Sequence, residues 1–254
     1  MDFTGMTFFL LIFIRTFSFL IASPFLAMPN IPVLAKLGFG FCLSIIVYLT
    51  FPSVHQEISG GLPGFALALT REAGLGLLLG ILVNMIFSSI RNAGQYMDFQ
   101  MGFSMANTVD PLSGVQVTIM GQFMNLLGLV FFLSIDGHHR LINALVQSYR
   151  LFPIMAGSFS FPSRAGFVAA KAAGVMCLLA VQISIPLLAV LIIIDLSLGL
   201  VAKAVPQVNV FLLGFPIKII AGLFVLIILL PLLATPLANV FLLMEENINR
   251  LLGG

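Results

Sequence analysis

Long stretches of apolar residues constrain this chain more than any other feature of its sequence. The clearest stretch, residues 172–194, contains no charged side chain. A membrane-spanning helix needs about 20 predominantly apolar residues, with a range of about 17 to 25. In the whole chain 60% of residues are hydrophobic and 8% are charged, whereas soluble domains carry about 25% charged residues. The sequence therefore predicts an all-α, membrane-embedded protein and excludes an ordinary soluble domain.

Charges and clusters of Pro and Gly divide the sequence into seven apolar runs: residues 3–28, 37–51, 73–90, 115–135, 141–152, 172–194 and 219–244. Four runs are long enough to span a membrane, the second is marginal, and the fifth is short. The first run qualifies only if Arg15, near its middle, finds a polar partner. We therefore predict about six long helical segments and one short one.

The charge and aromatic composition narrow the classes of partner. Eleven Lys and Arg against nine Asp and Glu give a formal charge of +2, so the chain lacks the basic field that nucleic acid binding requires. Its aromatic residues are 25 Phe, three Tyr and no Trp, whereas Trp and Tyr are the residues enriched at membrane interfaces. The composition therefore predicts a membrane protein that contacts lipid in an unusual way, with few of the aromatic residues typical of membrane interfaces.

Several charged residues fall within or beside the apolar runs and are predicted to be buried. An ionisable group at bilayer depth usually faces protein or a water-filled cavity. For Arg15 the alternatives are an ion pathway, or a buried pair and a contact with carbonyls freed near a helix break; we favour the second. Asp195 poses the same question, and Lys203 lies close enough along the chain to offset it. Glu72 precedes the third run, where its charge favours a helix N-terminus; proton transfer is the alternative, and we favour the structural role. The sequence does not pair Arg15 with Asp98, Asp195 or any other carboxylate.

Small residues predict two faces of close helix packing. Gly76 and Gly80 have the GxxxG spacing that lets helix backbones approach each other. Gly121 and Gly128 indicate a second contact face on another helix. The signal is weak in a chain with 23 Gly.

The sequence gives little support to catalysis, a metal site or a cofactor. Asp136 precedes His138 and His139, but adjacent histidines point to different faces of a helix, and no further ligand has a suitable spacing. The chain has no G-x-S-x-G elbow, no P-loop and no H-E-x-x-H motif. Cys42 and Cys177 lie in apolar runs, where a free cysteine behaves as a small hydrophobe. We expect no enzyme, no metal and no cofactor.

The central segment, residues 95–114, is predicted to be a re-entrant loop. Methionine and phenylalanine alternate there, and an extended chain would place all of them on one face; they are Met97, Phe99, Met101, Phe103 and Met105. Because methionine is flexible, such a row could seal a passage and yield to a passing chain. The alternative is a buried segment that packs its apolar side chains against neighbouring helices.

A helix over residues 111–135 is the best-delimited element in the sequence. Asp110 suits the N-cap and Pro111 suits the first helical position. Asp136 and Gly137 then indicate the end of the helix.

Sequence motifs along the whole chain carry a resemblance to a known family. They are Arg15, ASPFLAMPNIPVLAK at residues 22–36, REAGLGLLLG at 71–80, AGQYMDFQMGFSMANTVDP at 93–111, DGHHRLINALVQS at 136–148, Pro153, Pro186 and AKAVPQVNVFLLGFPIK at 202–218. In this order they resemble the flagellar biosynthetic protein FliR family, a component of the type III protein export gate. The flagellar branch matches better than the virulence-type homologues. Lys203 departs from the pattern, which has Arg there, so a bidentate carboxylate contact is in doubt.

The resemblance implies one FliR-like domain over residues 1–254, working as a non-enzymatic subunit of a helical, hetero-oligomeric gate of broken and bent hairpins. Its implied partners are FliP and FliQ homologues in one complex, FlhB and FlhA homologues, unfolded export substrates and the membrane lipid, with no nucleic acid. Its implied place is the bacterial inner membrane at the flagellar basal body. The resemblance also implies that the central loop seals the closed channel, through Met101, Gly102, Phe103, Met105, Val109, Asp110 and Pro111.

A different class of protein remains as the alternative. In a secondary transporter or a channel for a small solute, Arg15 and Asp195 would line a site at the middle of the membrane. Such a protein would work alone, whereas a gate subunit would require its partners. The weak lysine and arginine bias and the breaks inside the apolar runs favour a subunit covered largely by protein.

Overall fold

A computed structural model gives the chain a purely helical secondary structure within the residues that it describes. Those residues are 3–24, 31–51, 61–103, 118–154, 165–207 and 209–252. The predicted all-α fold is confirmed.

Eight α-helices and one short 3-10 helix follow one another along the described chain. They are α1 (Phe3–Ala22), α2 (Val33–Thr50), α3 (Gly61–Met101), α4 (Ile119–Ser134), α5 (Gly137–Leu151), α6 (Ala165–Ala204), α7 (Val210–Leu229), the 3-10 helix Leu230–Leu233 and α8 (Ala234–Leu252). Pro186 lies within α6 and Pro216 within α7. Pro231 lies at the start of the 3-10 helix, where its missing N–H interrupts the α-helical hydrogen bonds.

Five described segments are long and apolar enough to cross a membrane: Gly5–Ala22, Val33–Thr50, Gly61–Met101, Gly166–Ala204 and Leu212–Ile248. Helices α4 and α5 form a pair bent by 75°, which makes a sixth span if the pair counts as one. The prediction of about six long segments is confirmed, and one bent pair is found among them. The second run, marginal by length, proves to be one of the five.

The bend between α4 and α5 lies where the sequence predicts a helix end. α4 ends at Ser134, and Asp136 has a left-handed backbone with φ 56°. The predicted start at Pro111 lies outside the described residues, and the described helix begins at Ile119.

The structure corrects the predicted loop over residues 95–114, because α3 continues as a helix to Met101. Met97 and Met101 are buried with 1% and 0% exposure, whereas Phe99 between them is 74% exposed. Positions four apart share a helix face, so the expected single row of Met97, Phe99 and Met101 is wrong. A lone Gly94 in an otherwise helix-compatible stretch is not enough to end the helix.

The chain divides into two compact units. The first comprises Met1–Ile86, Asp136–Ala173 and Leu243–Gly254, and the second comprises Phe87–Ile135 and Gly174–Leu242. Helices α3, α6 and α8 contribute residues to both units. The single domain over residues 1–254 stays a prediction.

In the first unit α1 packs against α2 and α3. The ring of Phe9 meets those of Phe41 and Tyr48 edge to face, with centroids 5.5 and 6.0 Å apart. Gly76 and Gly80 lie against the backbone of α1, where a Cβ at Gly80 would lie 2.7 Å from the oxygen of Phe19. This is the close approach that the GxxxG spacing predicts.

In the second unit α3 packs against α4 with equally little space between the backbones. A Cβ at Gly94 would lie 2.7 Å from the Cα of Gly121, and one at Gly128 would lie 2.9 Å from the side chain of Ile90. Gly121 and Gly128 thus lie on the packing face of α4.

Candidate functional site

Arg15 is the centre of a buried polar cluster in the first unit. Its side chain, in the middle of α1, has 0% exposure, and its Nε donates a hydrogen bond to Glu72 of α3, which is 1% exposed. Its two terminal nitrogens donate to the backbone oxygens of Ser148 and Phe152, at 3.1 and 2.9 Å. The Ser148 oxygen also accepts from the Phe152 N–H at 2.9 Å, so Arg15 adds a second donor there. The last carbonyls of a helix have no partner within the helix, and at Phe152, which follows α5, Arg15 supplies a donor.

Tyr149 closes this cluster from one side. Its ring lies beneath the guanidinium of Arg15, 4.3 Å from ring centroid to Cζ. Its hydroxyl donates to the backbone oxygen of Ile12 at 3.0 Å and lies 3.0 Å from the Thr16 hydroxyl. A phenol carries one proton, so Thr16 is the donor in the second contact. The cluster thereby links α1, α3 and α5.

This arrangement decides two sequence interpretations. Arg15 is held both in a buried ion pair and against carbonyls at a helix end, which is the favoured interpretation of its charge. The prediction for Glu72 is wrong, because α3 begins at Gly61 and Glu72 lies well inside it. Apolar helical residues extend upstream of the run, so the carboxylate marks the partner of Arg15 rather than a helix start.

Asp98 forms a second buried polar contact, in the second unit. Its carboxylate, 2% exposed on α3, accepts hydrogen bonds from the backbone N–H of Met120 at 3.0 and 3.1 Å and from that of Gly121 at 3.3 Å. Both donors belong to the first turn of α4, whose own N-cap residue, Thr118, makes no side-chain cap hydrogen bond. A carboxylate is well suited to a helix N-terminus, and here α3 provides it.

The end of α3 has the geometry of a Schellman motif. Gly102 has φ +90°, and the N–H groups of Gly102 and Phe103 donate to the oxygens of Phe99 and Asp98 at 3.3 and 3.1 Å. A glycine is favoured at this left-handed position. Met101 has 0% exposure, and its side chain lies against Gly222 of α7. Gly102 lies against the ring of Phe215, also on α7. The other predicted seal residues, Met105, Val109, Asp110 and Pro111, lie outside the described residues.

Asp195 belongs to a third polar cluster, also in the second unit. It pairs with Lys218 of α7 at 2.9 Å and accepts a hydrogen bond from the Gln100 side chain at 2.9 Å. The side chain of Asp195 is 42% exposed and Lys203 is exposed, so within this chain the prediction that both are buried is wrong. Lys218 rather than Lys203 offsets Asp195, because α7 returns alongside α6.

Asp136, His138 and His139 are the described residues that could hold a metal ion, since their ligand atoms lie within 4.8 Å of one another. The expectation that the histidines diverge is wrong, because their rings lie 4.2 Å apart at the bend. Asp136 and His139 are mostly exposed and 3.5 Å apart as an i, i+3 pair. That local pairing accounts for the closeness of Asp136 to His139.

The similarity to known proteins extends along nearly the whole chain and is not confined to one site. Residues 6–244 match the family described as bacterial export proteins, family 1. The chain belongs to this family. All the described candidate residues of this export protein lie inside the matched range.

Individual relatives of the export protein bear the name flagellar biosynthetic protein FliR. The one from Bacillus subtilis (strain 168) is 35% identical over 248 residues, which cover 96% of this chain and 94% of the relative. That of Escherichia coli (strain K12) is 29% identical over 222 residues, covering 87% and 83%, and that of Aquifex aeolicus (strain VF5) is 28% identical over 232 residues, covering 91% and 88%. The resemblance drawn from the motifs is confirmed.

Sequence reasoning missed several residues that complete these contacts in the export protein. Tyr149 and Ser148 belong to a short helix that, by its polarity, indicates no membrane span. Lys218 directly precedes the run of residues 219–244 and marks its boundary in the sequence. A lysine and an aspartate in adjacent apolar segments are a pairing signal, because each charge needs a partner at membrane depth.

Proposed function

We propose that this chain is a subunit of the flagellar type III protein export gate in the bacterial inner membrane, where it helps to form and seal the channel for unfolded flagellar subunits. One observation carries the proposal: the match to bacterial export proteins covers residues 6–244, and the relatives along that range are named for flagellar biosynthesis. The partners would be FliP and FliQ homologues in the same complex, with FlhB and FlhA homologues beside it. As a single domain over residues 1–254, the chain would contribute structure rather than catalysis.

The proposed seal is the central segment that begins at Met101, Gly102 and Phe103. Its described start is fixed: Met101 is buried and Gly102 turns the chain out of α3. Its described return is the first turn of α4, which Asp98 binds. Both described ends of the segment are held by contacts within the second unit, and the seal itself is proposed from the resemblance to the FliR family.

The transporter alternative gains no support from the charged residues. It requires Arg15 and Asp195 to serve a solute together. Each already has a partner of opposite charge within its own unit, Glu72 for Arg15 and Lys218 for Asp195. The donors of Arg15 are also used by backbone carbonyls, which leaves its guanidinium no free face for a ligand.

The test of the seal keeps both anchored ends and changes only the segment between them. Replacing residues 104–110 by Gly and Ser at equal length, in the gate complex in its native membrane, should make resting cells permeable to ions and small solutes. The same replacement at residues 155–161, another stretch between helices, is the matched control and should leave permeability unchanged. Wild-type permeability in an assembled complex carrying the 104–110 replacement would contradict the proposed seal.

A further inference from the structure

The first unit contains an apolar cavity that is bounded by α1, α2 and α5. Its volume is about 240 Å³, and eight of its ten lining residues are apolar. Phe19 and Leu20 of α1, Leu43 of α2 and Leu145 of α5 line it and are between 1% and 8% exposed, whereas Phe39 of α2 is 48% exposed. The cavity therefore has a closed apolar floor and opens outward beside Phe39.

The cavity extends inward from one end of the apolar helices. Ser23 directly follows α1, Ile31 lies just before α2 and His138 lies in the first turn of α5, and all three line the cavity. These positions are at the edge of the candidate spans of α1 and α2, where a membrane helix leaves the hydrocarbon core. From His138 the lining continues along α5 to Leu145, about 10 Å further at about 1.5 Å per residue. The cavity thus has its polar residues at the membrane edge and its apolar floor at greater depth, as a bound lipid chain requires.

We propose that this cavity binds one acyl chain of an anionic phospholipid, with the lipid phosphate at the start of α5. The site is separate from the proposed export function and does not depend on it. An apolar cavity of about 150 Å³ holds a benzene ring, so the present volume holds roughly ten chain carbons in proportion. The rest of the acyl chain would continue past Phe39 along the exposed apolar face of α2.

The start of α5 provides the charge for an anionic headgroup. His138, His139 and Arg140 are consecutive there, and α5 contains no Asp or Glu. Arg140 is exposed and directly precedes Leu141 of the cavity wall, and a guanidinium donates paired hydrogen bonds to phosphate oxygens. Asp136, which precedes α5, is acidic, but its carboxylate lies 3.5 Å from the Nδ1 of His139. The apolar cavity and the basic residues at its outer end together match a lipid with an anionic headgroup.

An unmet hydrogen bond at His138 favours a lipid over a protein side chain as the occupant. The Nδ1 of His138 is buried and has no hydrogen-bond partner among the residues that the structure describes, whereas buried polar atoms nearly always have one. The phosphate and ester oxygens of a phospholipid accept hydrogen bonds and would supply this partner. An apolar side chain from another helix would fill the same cavity and leave the imidazole unsatisfied.

The test uses the complex purified in mild detergent and reconstituted in phosphatidylcholine vesicles that contain a phosphatidylglycerol with a photoreactive diazirine in its acyl chain. After illumination, mass spectrometry of the peptides should find the label on Leu43 and Leu145, which at 8% and 1% exposure are shielded from bulk lipid. Unlabelled phosphatidylglycerol should compete for this labelling. The same concentration of added phosphatidylcholine, or of glycerol phosphate as a headgroup without chains, should not.

Four variants with two controls separate the chain site from the headgroup site. Ile142→Trp should fill the cavity and abolish the label, whereas Leu178→Trp, at a 64% exposed position of α6, should not. Arg140→Gln should weaken competition by phosphatidylglycerol by about fivefold. Asp136→Asn should strengthen it, and asparagine tolerates the left-handed backbone at that position. Arg150→Gln, exposed at the other end of α5, is the matched control for charge and should leave competition unchanged.

The absence of label from Leu43 and Leu145 would overturn the lipid site, as would equal competition by phosphatidylcholine. Crosslinks from a photoreactive residue at position 142 to another subunit or to a second copy of this chain would assign the cavity to a protein and also overturn it. If Ile142→Trp prevents assembly, the exposed variants Arg140→Gln and Asp136→Asn decide, and equal competition in the two would reject the site. Because labelling requires neither export nor a sealed channel, failure of the proposed function would leave this result unchanged.

Discussion

At the scale of single residues, replacing one member of a buried polar cluster in this chain is expected to lower its stability. Arg15 and Glu72 form an ion pair with 0% and 1% exposure. Removing one partner of a buried pair costs about 3–5 kcal/mol, because the other charge is left uncompensated. Arg15 additionally donates to two carbonyls at the end of α5. Its loss removes the donor of the Phe152 oxygen, whereas the Ser148 oxygen keeps the Phe152 N–H.

We therefore expect Arg15→Met to lower the stability of the purified complex by about 3–5 kcal/mol, and Glu72→Gln to lower it less, because glutamine keeps an acceptor for the Arg15 Nε. The double variant Arg15→Met with Glu72→Leu should recover only part of the loss, since the Arg15 hydrogen bonds to the Ser148 and Phe152 carbonyls are still missing. The thermal unfolding midpoint in detergent gives the measurement. Full recovery in the double variant would show that the carbonyl contacts contribute nothing.

The matched control for this series is Arg150→Met. Arg150 lies on the same helix as the two carbonyls, in the last turn of α5, and is exposed. Exposed substitutions usually change stability by no more than about 0.5 kcal/mol. A loss for Arg150→Met as large as that for Arg15→Met would attribute the effect to charge in general rather than to the buried cluster.

At the scale of helices, the sequence predicts the elements better than their ends and partners. Apolar runs of about membrane length predict the spans, because hydrophobicity is a property of each segment alone. The extent of α3 could not be predicted, because residues 91–101 mix polar and apolar types and Met97 and Met101 are buried only through packing. The pairing of Asp195 with Lys218 likewise depends on how α7 returns beside α6, which no local pattern encodes.

The close approach of α1 to α3 can be tested by adding a single methyl group at the contact. At Gly76 a Cβ would collide with the backbone oxygen of Arg15 and lie 2.9 Å from the Cβ of Ser18, whereas at Gly38 of α2 it would meet nothing within 4 Å. Gly76→Ala should therefore lower the unfolding midpoint by separating α1 from α3 and weakening the Arg15 contact. Gly38→Ala should keep or raise it, since alanine is favoured over glycine in a helix by about 1 kcal/mol. Equal midpoints for the two variants would contradict this packing.

At the scale of the whole molecule, the chain leaves most of its later apolar helices uncovered. In an 18-residue apolar window of each, only 33% of the residues within Gly166–Ala204 and 17% of those within Leu212–Ile248 are buried by the chain itself. Asp195 and Lys218 place charges in these helices, and Pro231 begins a 3-10 helix between α7 and α8. Irregular backbone and charges at membrane depth are tolerated where protein or a water-filled cavity surrounds them. Other subunits are thus better suited than lipid to cover much of this surface.

The uncovered apolar surface predicts that the chain is stable only in a complex with other subunits. Purified in mild detergent from cells that also express the FliP and FliQ homologues, it should emerge in a complex with several small hydrophobic subunits at fixed ratios, measured by native mass spectrometry. Expressed alone, it should be degraded or aggregate, because large apolar faces without a partner promote association. Solute uptake by a stable lone monomer or homodimer would instead support the transporter. Ile193 and Leu196 of α6 are 62% and 66% exposed. If changing such residues to Ser abolishes the complex that the wild type forms, the subunit contact lies on this face.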